Sequence, residues 1–358
     1  MAGRRLYLCA NITMSKPVAT IKEIAKRLNI SVSTVSRALH DHHSIGLRTK
    51  MRVKELAKEL KYEPNQTAIF FKQGKTFTIG VILPELSESF FSSAISGIED
   101  CAKTKSYNVL VGQSHDDEQT EKQLVEAMKS HRVDGMLISV AKNTGNYSHF
   151  EMLKDYNIPV VFFDRIPKKT DIHSVTCNVE RGMEDAIHFL VKRGHRNIAF
   201  VNGPKTIIAS RERFEGYRDA LSRKKIKVDP AYIISTDLTP ESTIKAMEEL
   251  LALKRRPTAV ITFNDYIALD AIKYAKSRKI SINKDISFVS FANLPLCNYM
   301  ENPPLASVEQ FPFEQGYKAT EILLQLLNTN AELQNTVTGN VVLESKLMIN
   351  TPEPVCEN

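Results

Sequence analysis

The sequence predicts two kinds of structure in one chain: a small all-α head, and an α/β core of two doubly wound parallel-sheet subdomains. At 358 residues the chain is too long for one ordinary hydrophobic core. Residues 20–60 carry apolar residues at helical spacing, whereas from residue 78 onward short β-rich runs alternate with helical stretches. The charge divides in the same way. Residues 1–76 contain 15 Lys and Arg against 5 Asp and Glu, and residues 77–358 contain 33 against 36.

The first predicted helix begins after Thr20. Thr20 and Glu23 have the spacing of a capping box, in which a hydroxyl and a carboxylate three residues later bind the free amides at a helix start. Apolar residues then recur at helical spacing up to Leu28. Asn29 follows, and asparagine tolerates the left-handed conformation that a tight turn needs. The helix is therefore predicted to end there.

A second and a third helix complete the predicted head. Ser31 can cap a second helix over residues 32–39. Two short helices joined by a three-residue turn predict a helix-turn-helix. Residues 49–60 have an apolar stripe that predicts a third helix, and Tyr62 extends the small core that the three helices share.

The exposed face of the second helix carries hydroxyl and basic side chains and no carboxylate. Such a face can approach phosphates and base edges in the major groove of DNA. A helical hairpin that docks on another protein is the alternative, but the capping box, the turn and the surplus positive charge together favour DNA. The DNA contacts predicted in the head are Thr20, Val32, Ser33, Thr34, Ser36, Arg37 and His40.

Three segments of the head resemble the N-terminal signature of the lactose-repressor (LacI) family of bacterial transcription regulators. They read ATIKEIA at residues 19–25, SVSTVSRAL at residues 31–39 and LKYEPN at residues 60–65, and the resemblance continues almost to the C-terminus. Asn29 stands where the family usually has glycine. The resemblance implies a small all-α helix-turn-helix head plus an α/β periplasmic-binding-protein-like core of two doubly wound parallel-sheet subdomains.

The resemblance also implies a hinge helix after Pro64 that orders only on operator DNA. In the family, two such helices from a dimer enter the minor groove, and each pushes an apolar side chain between base pairs, which kinks the duplex. Phe71 matches the position of the wedge, usually leucine, and Ile69 stands in place of the usual arginine. A linker whose Phe70 and Phe71 pack on the core is the alternative. The DNA contacts predicted for the hinge are Asn65, Ala68 and Phe71.

Eight short apolar runs alternate with helical stretches in the rest of the chain. Continuous apolar strands separated by helices indicate parallel sheets covered on both faces, and eight such units exceed one compact domain. The strands are predicted at Thr78–Leu83, Asn108–Gly112, Gly135–Val140, Pro159–Asp164, Asn197–Val201, Tyr232–Ser235, Ala259–Phe263 and Ile286–Phe291.

Domain boundaries follow from these patterns and from the resemblance. The predicted segments are an N-terminal extension at 1–14, a DNA-binding domain at 15–63, a hinge helix and linker at 64–76, and an effector-binding core at 77–358. The first core subdomain is expected to take about 77–177 and 310–338, and the second about 178–309 and 339–358. Met14 is an alternative translation start.

Ligands of doubly wound sheets bind beyond the carboxyl ends of the strands, which here means the cleft between the two subdomains. Arg213 matches the arginine with which the family clamps effectors. Asn264 is expected to point at the ligand, and Asp265 is expected to cap the next helix. The family commonly has a carboxylate where Ala292 stands, and Asn293 is expected to substitute for it. The effector-binding residues predicted in the cleft are Phe90, Phe91, Asp164, Arg213, Asn264, Asn293 and Gln310.

The remaining cleft features have simple interpretations. Phe90 and Phe91 are expected to form an apolar wall, although one of them could equally belong to the core. A carboxylate at Asp164 can accept hydrogen bonds from paired hydroxyls. The acidic run at residues 116–118 precedes a helical stretch and is interpreted as N-terminal helix charge.

Other kinds of site have little support in the sequence. It contains no G-x-G-x-x-G, P-loop, G-x-S-x-G or H-E-x-x-H motif, so no catalytic residue and no cofactor is predicted. The run at residues 40–43 invites a metal interpretation, but DNA-facing or solvated roles are favoured and no metal is predicted. Five scattered cysteines and the lack of an apolar run near 20 residues favour a cytoplasmic protein with no membrane partner.

The sequence thus predicts a DNA-binding transcriptional regulator that is controlled by a small effector. The family resemblance implies repression, with a sugar or sugar derivative as the commonest effector. The expected partners are a near-palindromic double-stranded operator, a carbohydrate effector and a second copy in a homodimer. A solute-binding protein and an enzyme acting on a sugar are the alternatives. The basic head opposes the first, and the lack of an evident acid–base pair opposes the second.

Overall fold

The chain divides into two compact units, residues 1–75 and residues 76–358. A computed structural model of the protein describes residues 19–63, 74–168, 171–329 and 339–350. The predicted N-terminal extension and the hinge residues Asn65, Ala68, Ile69, Phe70 and Phe71 lie outside the described residues.

Three helices form the head: α1 at Ile21–Leu28, α2 at Val32–Leu39 and α3 at Leu47–Glu59. Asn29 ends α1 in the left-handed conformation, with φ 52° and ψ 47°, as the sequence predicts. The third helix begins two residues before the predicted start. The buried core that the three helices share consists of Ile24, Ala25, Val35, Ala38, Val53 and Ala57.

Hydroxyl groups cap the first two helices. The Thr20 hydroxyl accepts a hydrogen bond from the Glu23 amide at 3.3 Å, and the Ser31 hydroxyl accepts one from the Thr34 amide at 3.1 Å. The Glu23 carboxylate accepts a hydrogen bond from Arg27 at 2.8 Å. The Thr20 half of the predicted capping box is therefore present, while Glu23 is engaged one turn further along the helix.

Twelve strands are described in the core. They are β1 Thr78–Leu83, β2 Asn108–Gln113, β3 Gly135–Ile138, β4 Val160–Phe163, β5 His173–Asn178, β6 Ile198–Asn202, β7 Ile233–Ser235, β8 Ala259–Thr262, β9 Ser287–Phe291, β10 Ala306–Glu309, β11 Asn340–Glu344 and β12 Lys346–Ile349.

These strands build two six-stranded sheets, one in each subdomain. The first sheet has the order β11-β5-β4-β3-β1-β2, and all its strand pairs are parallel. The second sheet has the order β12-β10-β9-β8-β6-β7, and only β12 runs antiparallel to its neighbour. This is the predicted architecture of two doubly wound sheets.

Helices cover both sheets, because parallel strands need crossover connections and leave two apolar faces to bury. The described core α-helices are α4 Ser89–Lys103, α5 Glu118–Ser130, α6 Ser148–Glu151, α7 Val179–Lys192, α8 Ile208–Arg223, α9 Pro240–Ala252, α10 Asp265–Ser277 and α11 Pro312–Asn328. Of these, none is long and apolar enough to cross a membrane.

The chain passes between the subdomains three times, and the last passage differs from the prediction. It leaves the first sheet after β5, returns after β10 and leaves again at Ser345. Residues 339–358 were assigned to the second subdomain, but β11 pairs with β5 in the first sheet. The boundary between the subdomains falls inside residues 339–358 because β11 and β12, which are separated only by Ser345, belong to different sheets.

The eight predicted strands are present within a few residues of their predicted bounds, and four further strands were missed. These are β5, β10, β11 and β12, of which β10 and β12 have only four residues. β5 and β11 contain polar residues, and β11 lies at a sheet edge with alternate residues exposed. None of them has the continuous apolar run by which the other strands were recognised.

Two glycines permit a close crossing of α4 and α11 in the first subdomain. A Cβ atom on Gly97 would lie 2.0 Å from the Phe313 carbonyl oxygen, and one on Gly316 would lie 2.1 Å from the Ala94 carbonyl oxygen. Any larger residue would have to separate the two helix backbones. This crossing fixes the start of α11, and with it the crossover at residues 309–312, against the middle of α4.

Candidate functional site

The exposed face of α2 presents hydroxyl, apolar and basic side chains to solvent. Val32, Ser33, Arg37 and His40 are exposed, whereas Thr34 and Ser36 are half-buried. The helix has no acidic residue in its first turn. The predicted DNA-contact residues of the second helix therefore lie on or at the edge of one accessible surface.

A cluster of hydroxyls organises the start of this helix. The Ser31 hydroxyl lies 2.7 Å from that of Ser33 and 2.8 Å from that of Thr34. Each hydroxyl keeps further hydrogen-bonding capacity, since it has one donor and two acceptor sites. Arg37 is exposed and pairs with no carboxylate among the described residues, so its guanidinium is available to a phosphate or a base edge.

The histidine-rich run after α2 is held by ordinary surface contacts. Lys54 on α3 pairs with the Asp41 carboxylate at 2.7 Å and lowers the pKa of Asp41. The rings of His42 and His43 stack with their centroids 4.3 Å apart. These contacts support the solvated interpretation of this run over the metal one.

Two cavities lie between the core subdomains. The large cavity has a volume of about 530 Å³, within the range of small-molecule pockets, and the small cavity has about 80 Å³. The large cavity is lined by Ser89, Phe90, Ser92, Ser93, Ser96, Ala292, Asn293, Leu294, Pro295, Glu309, Phe311, Pro312, Phe313 and Glu314. The small cavity is lined by Val140, Ala141, Lys142, Thr144, Tyr147, Asp164, Arg165, Ile166, Thr176, Cys177, Val179, Thr206, Ile207, Ile208, Ala209, Glu212 and Gln310.

The predicted effector residues divide among these cavities and the core. Phe90 and Asn293 line the large cavity, and Asp164 and Gln310 line the small one. The others, Phe91, Arg213 and Asn264, line neither. Phe91 is 1% exposed and packs in the core of the first subdomain, so the predicted apolar wall consists of Phe90 alone.

Arg213 is buried next to Gln310, a residue of the small cavity. It is 3% exposed, and its guanidinium donates a hydrogen bond to the Gln310 side chain at 2.9 Å. The rings of Phe263 and Phe291 hold it from two sides, with centroids 4.3 and 4.6 Å from the guanidinium carbon. Burial lowers the pKa of Arg213 to about 10, and the nearby Asp164 opposes that shift. The arginine stays protonated at neutral pH, and its buried Nε has no hydrogen-bond partner among the residues that the structure describes.

Asp164 ends β4 in the left-handed conformation, with φ 57°. Its partial burial raises the pKa of the carboxyl group, while the guanidiniums of Arg165 and Arg213 oppose the rise. Arg165 is fixed by the Asp116 carboxylate at 2.6 Å. This arrangement places a carboxylate and an arginine side by side on the wall of the small cavity.

Three acidic side chains at the start of α5 hold the loop that forms this wall. The Ala141 amide donates to Glu121 at 2.7 Å. The Lys142 amide donates to Asp116 at 2.9 Å, and the Gly145 amide donates to Glu118 at 3.1 Å. Glu121 is fully buried and also accepts from the Thr144 hydroxyl at 2.8 Å and lies 3.0 Å from His149 Nε2. The name carboxylate clamp is used below for Asp116, Glu118 and Glu121.

The carboxylate clamp was not recognised from the sequence. The sequence interprets the acidic run at residues 116–118 as helix charge, and this holds for Glu118 in the first turn of α5 and for the N-cap residue Asp117. That residue caps α5 by accepting from the Thr120 amide at 2.7 Å, a bond that lowers the pKa of Asp117. Asp116 and Glu118 also accept hydrogen bonds from backbone amides more than 20 residues away, contacts that no local spacing reveals.

Neither Asn264 nor Asp265 has the role that the sequence predicts for it. The Asn264 side-chain oxygen accepts from the Ile267 amide at 3.0 Å, so Asn264 is the residue that caps α10. Asn and Asp are equally good at such a position, so the sequence alone did not decide between them. The fully buried Asp265 accepts from the hydroxyls of Ser290 and Ser307 and, at 2.6 Å, from the Leu294 amide.

Asp265 thereby fixes the loop at residues 292–294 against the large cavity. Burial raises the pKa of Asp265, and the hydrogen bonds it accepts oppose the shift. Asn293 donates from its side chain to the Glu309 carboxylate at 2.8 Å. Glu309 is not among the predicted effector residues, but it supplies a carboxylate to the same cavity beside Ala292.

Comparison with known proteins agrees with this arrangement of head, sheets and cleft. The model "Periplasmic binding proteins and sugar binding domain of LacI family" matches residues 76–345, and the model "Bacterial regulatory proteins, lacI family" matches residues 20–65. The chain belongs to the LacI family.

Relatives match this LacI-family chain over nearly its whole length. It is 33% identical to catabolite control protein A of Priestia megaterium over 324 residues, which cover 90% of this chain and 95% of that one. It is 32% identical to the transcriptional repressor CytR of Escherichia coli (strain K12), covering 92% of this chain and 95% of that one. The crystal structure of the lac repressor dimer bound to operator and the anti-inducer ONPF has a TM-score of 0.80 at 25% identity. It covers 92% of this chain and 97% of that chain.

Membership confirms the predicted class of function. The protein is a DNA-binding transcriptional regulator with a helix-turn-helix head and an effector-binding core, and it is not an enzyme. The head at residues 20–65 also distinguishes it from a solute-binding protein that consists of the core alone.

Proposed function

We propose that the protein is a homodimeric repressor that reads a near-palindromic operator in the cytoplasm and is controlled by a sugar or sugar derivative. The observation that carries this proposal is the combination, in one chain, of an exposed recognition helix without acidic residues and a large cavity between two subdomains. The family comparisons support the regulator class, and the details below rest on the residues themselves.

The DNA contacts are assigned to the exposed face of α2 and to the start of α1. We expect Ser33, Thr34 and Arg37 to meet base edges or phosphates in the major groove, with Thr20, Val32, Ser36 and His40 extending the contact. A symmetric dimer places two such helices on two half-sites, which is why a near-palindromic operator is expected. The lac repressor, a structural neighbour, was crystallised as a dimer on its operator.

The hinge contacts at Asn65, Ala68 and Phe71 are part of the same proposal. They rest on the family resemblance, since these residues lie outside the described ones. We expect Phe71 to act as the minor-groove wedge, because a large apolar side chain can separate two base pairs and kink the duplex.

The chemistry of the large cavity favours a polyhydroxylated effector. Four serine hydroxyls line one side, at Ser89, Ser92, Ser93 and Ser96. Ser92 and Ser96 donate to carbonyl oxygens of their own helix and keep lone pairs with which to accept hydrogen bonds from a ligand. Glu309, Glu314 and Asn293 add acceptors, while Phe90, Phe311 and Phe313 offer apolar surface. Sugars present hydroxyl edges and apolar C–H faces, so both kinds of lining have a partner in the ligand.

The inner end of the ligand site is assigned to Arg213, Gln310 and Asp164. The small cavity alone is too small for a sugar, because its volume of about 80 Å³ lies well below the roughly 300 Å³ at which small-molecule pockets begin. We infer that a ligand enters the large cavity and that its polar groups compete for the Arg213–Gln310 hydrogen bond. Breaking that hydrogen bond would change the orientation of one subdomain relative to the other. This change would in turn alter the operator affinity.

A metabolite panel tests this proposal in two steps. Pentoses, hexoses, disaccharides, sugar phosphates, nucleosides and purines are screened by thermal shift, since a ligand at 100 times its Kd adds about 2.7 kcal/mol of stability. Each compound that stabilises the protein is then added to its complex with duplex DNA from its own promoter region. We expect a carbohydrate to stabilise the protein and to change operator affinity at least fivefold. Stabilisation by nucleosides or purines alone would contradict the carbohydrate assignment.

A further inference from the structure

The second sheet carries a concentration of positive charge at the amino-terminal ends of its parallel strands. This is the end opposite the cleft. Four segments lead into its strands β6, β7, β8 and β9, at residues 192–197, 223–232, 253–258 and 277–286. Together they contain 13 Lys and Arg against 2 Asp and Glu, whereas the rest of residues 77–358 contains 20 against 34. These four segments are called the basic edge below.

Sheet topology makes the basic edge one continuous surface. The four strands are neighbours in the order β9-β8-β6-β7 and run parallel. The segments that enter them therefore lie side by side at the amino-terminal end of the sheet. Strands about 4.8 Å apart place the outer two roughly 15 Å from each other. Side chains tie the segments together: His195 lies 3.0 Å from the Thr258 hydroxyl, and the Tyr232 hydroxyl donates to the Arg255 carbonyl at 2.8 Å.

Most of these cations have no acidic partner. Lys225, Lys227, Lys254, Arg255, Arg256 and Lys279 are exposed, and none forms an ion pair with a carboxylate among the described residues. The two acidic residues of the edge are engaged locally, because Asp229 accepts from the Ala231 amide and Asp285 from the Ser281 amide. Solubility alone needs no such segregation, since a mixed surface is as soluble and like charges held together repel.

The composition of the basic edge selects the kind of partner. A protein–protein interface has apolar and aromatic residues at its centre, and none of the exposed large hydrophobic side chains of the described residues lies in these four segments. Phosphate contacts need only Lys, Arg and polar groups. Duplex DNA carries about one charge per 1.7 Å, which gives roughly nine phosphates over the 15 Å of the edge.

We propose that the basic edge binds the phosphate backbone of double-stranded DNA as a second DNA-contacting surface in addition to the head. The contact is independent of DNA sequence and weakens with salt. It lies at the amino-terminal ends of the strands, whereas the effector cleft lies at their carboxyl ends. One protein molecule can therefore hold two DNA segments. This goes beyond the proposed function, which assigns all DNA contacts to the head and hinge.

A bridging assay with matched charge variants tests the proposal on the full chain. A 30-base-pair duplex of random sequence is fixed to beads, protein is added, and capture of a second, labelled duplex of random sequence is measured at 50–200 mM NaCl. The edge variant is Lys225→Gln/Lys227→Gln/Lys254→Gln/Lys279→Gln. The control is Lys103→Gln/Lys105→Gln/Lys154→Gln/Lys168→Gln, which removes four exposed charges from the first subdomain.

We expect the edge variant to capture at least fivefold less labelled duplex, and the control to stay within twofold of wild type. Arg255→Gln/Arg256→Gln serves as a second, independent edge variant and should lose about half as much. Equal capture by edge variant and control, whether both high or both low, would overturn the proposal. Displacement of the labelled duplex by poly-glutamate at lower charge concentration than by DNA would also overturn it, and would assign the edge to an acidic protein.

Discussion

The two functional regions handle their charged groups in opposite ways. On the recognition helix, Arg37 is exposed and without an acidic partner among the described residues. In the cleft, Arg213 is 3% exposed, hydrogen-bonded to Gln310 and enclosed by two aromatic rings. A surface that reads DNA leaves its donors available to the partner, whereas the guanidinium in the cleft is enclosed by protein and donates a hydrogen bond to Gln310.

This difference separates binding from stability. Leaving a buried donor without an acceptor costs about 1–3 kcal/mol, whereas an exposed donor returns to water at little cost. Substitutions in the cleft should therefore affect folding as well as ligand binding. Substitutions on the recognition face should affect DNA binding alone.

The largest expected effect is on stability, in Asp265→Ala. Loss of the carboxylate leaves the hydroxyls of Ser290 and Ser307 and the amide of Leu294 without their acceptor. We expect the free energy of unfolding to fall by about 3 kcal/mol, measured by urea denaturation of the full chain. Asp270→Ala, on the same helix, is the control and should cost less than about 1 kcal/mol. Equal losses would show that Asp265 has no special structural role.

A smaller effect, on ligand binding, is expected in Arg213→Met. Methionine keeps most of the volume between the two aromatic rings but removes the guanidinium. A hydrogen bond to a charged group contributes about 1.5–3 kcal/mol, so ligand affinity should fall roughly tenfold to a hundredfold in calorimetric titration. Arg211→Met, two residues earlier and exposed, should bind the ligand as wild type does. Unchanged affinity in Arg213→Met would move the ligand site elsewhere.

The smallest effect on the protein itself is expected in Arg37→Ala. Its unfolding free energy should stay within about 0.5 kcal/mol of wild type, since the side chain is exposed. Operator binding should weaken by about 1–3 kcal/mol, measured by fluorescence anisotropy. Arg52→Ala on α3 removes the same exposed charge from the head outside the recognition helix. If both variants weakened binding equally, Arg37 would contribute only charge and not recognition.

The head could be predicted almost completely from the sequence because its determinants are local. Thr20, Ser31 and Asn29 act within three or four residues of their own positions. The apolar strands of the core were also recognisable. The strands β5, β10, β11 and β12 were not recognisable, because they lack a continuous apolar run and are held in their sheets mainly by pairing with neighbouring strands.

The cleft was predicted only in part, because its contacts join residues far apart in the chain. Glu121 binds an amide 20 residues away, and Asp265 binds a hydroxyl 42 residues away. The family resemblance predicts a ligand-binding role for Arg213, which stays a prediction, and it did not reveal that Asn264 is a helix cap or that Phe91 is core. Residues whose roles depend on three-dimensional contacts had no signal in the spacing of the sequence.

The central claim is that ligand occupancy of the cleft controls DNA binding by the head. The most direct test is the operator affinity of the full-length protein with and without a saturating stabilising carbohydrate, measured by fluorescence anisotropy at fixed salt. The account predicts a change of roughly 5- to 150-fold in wild type and in Arg211→Met, and less than twofold in Arg213→Met. An operator affinity that does not change in wild type while the ligand is demonstrably bound would contradict it.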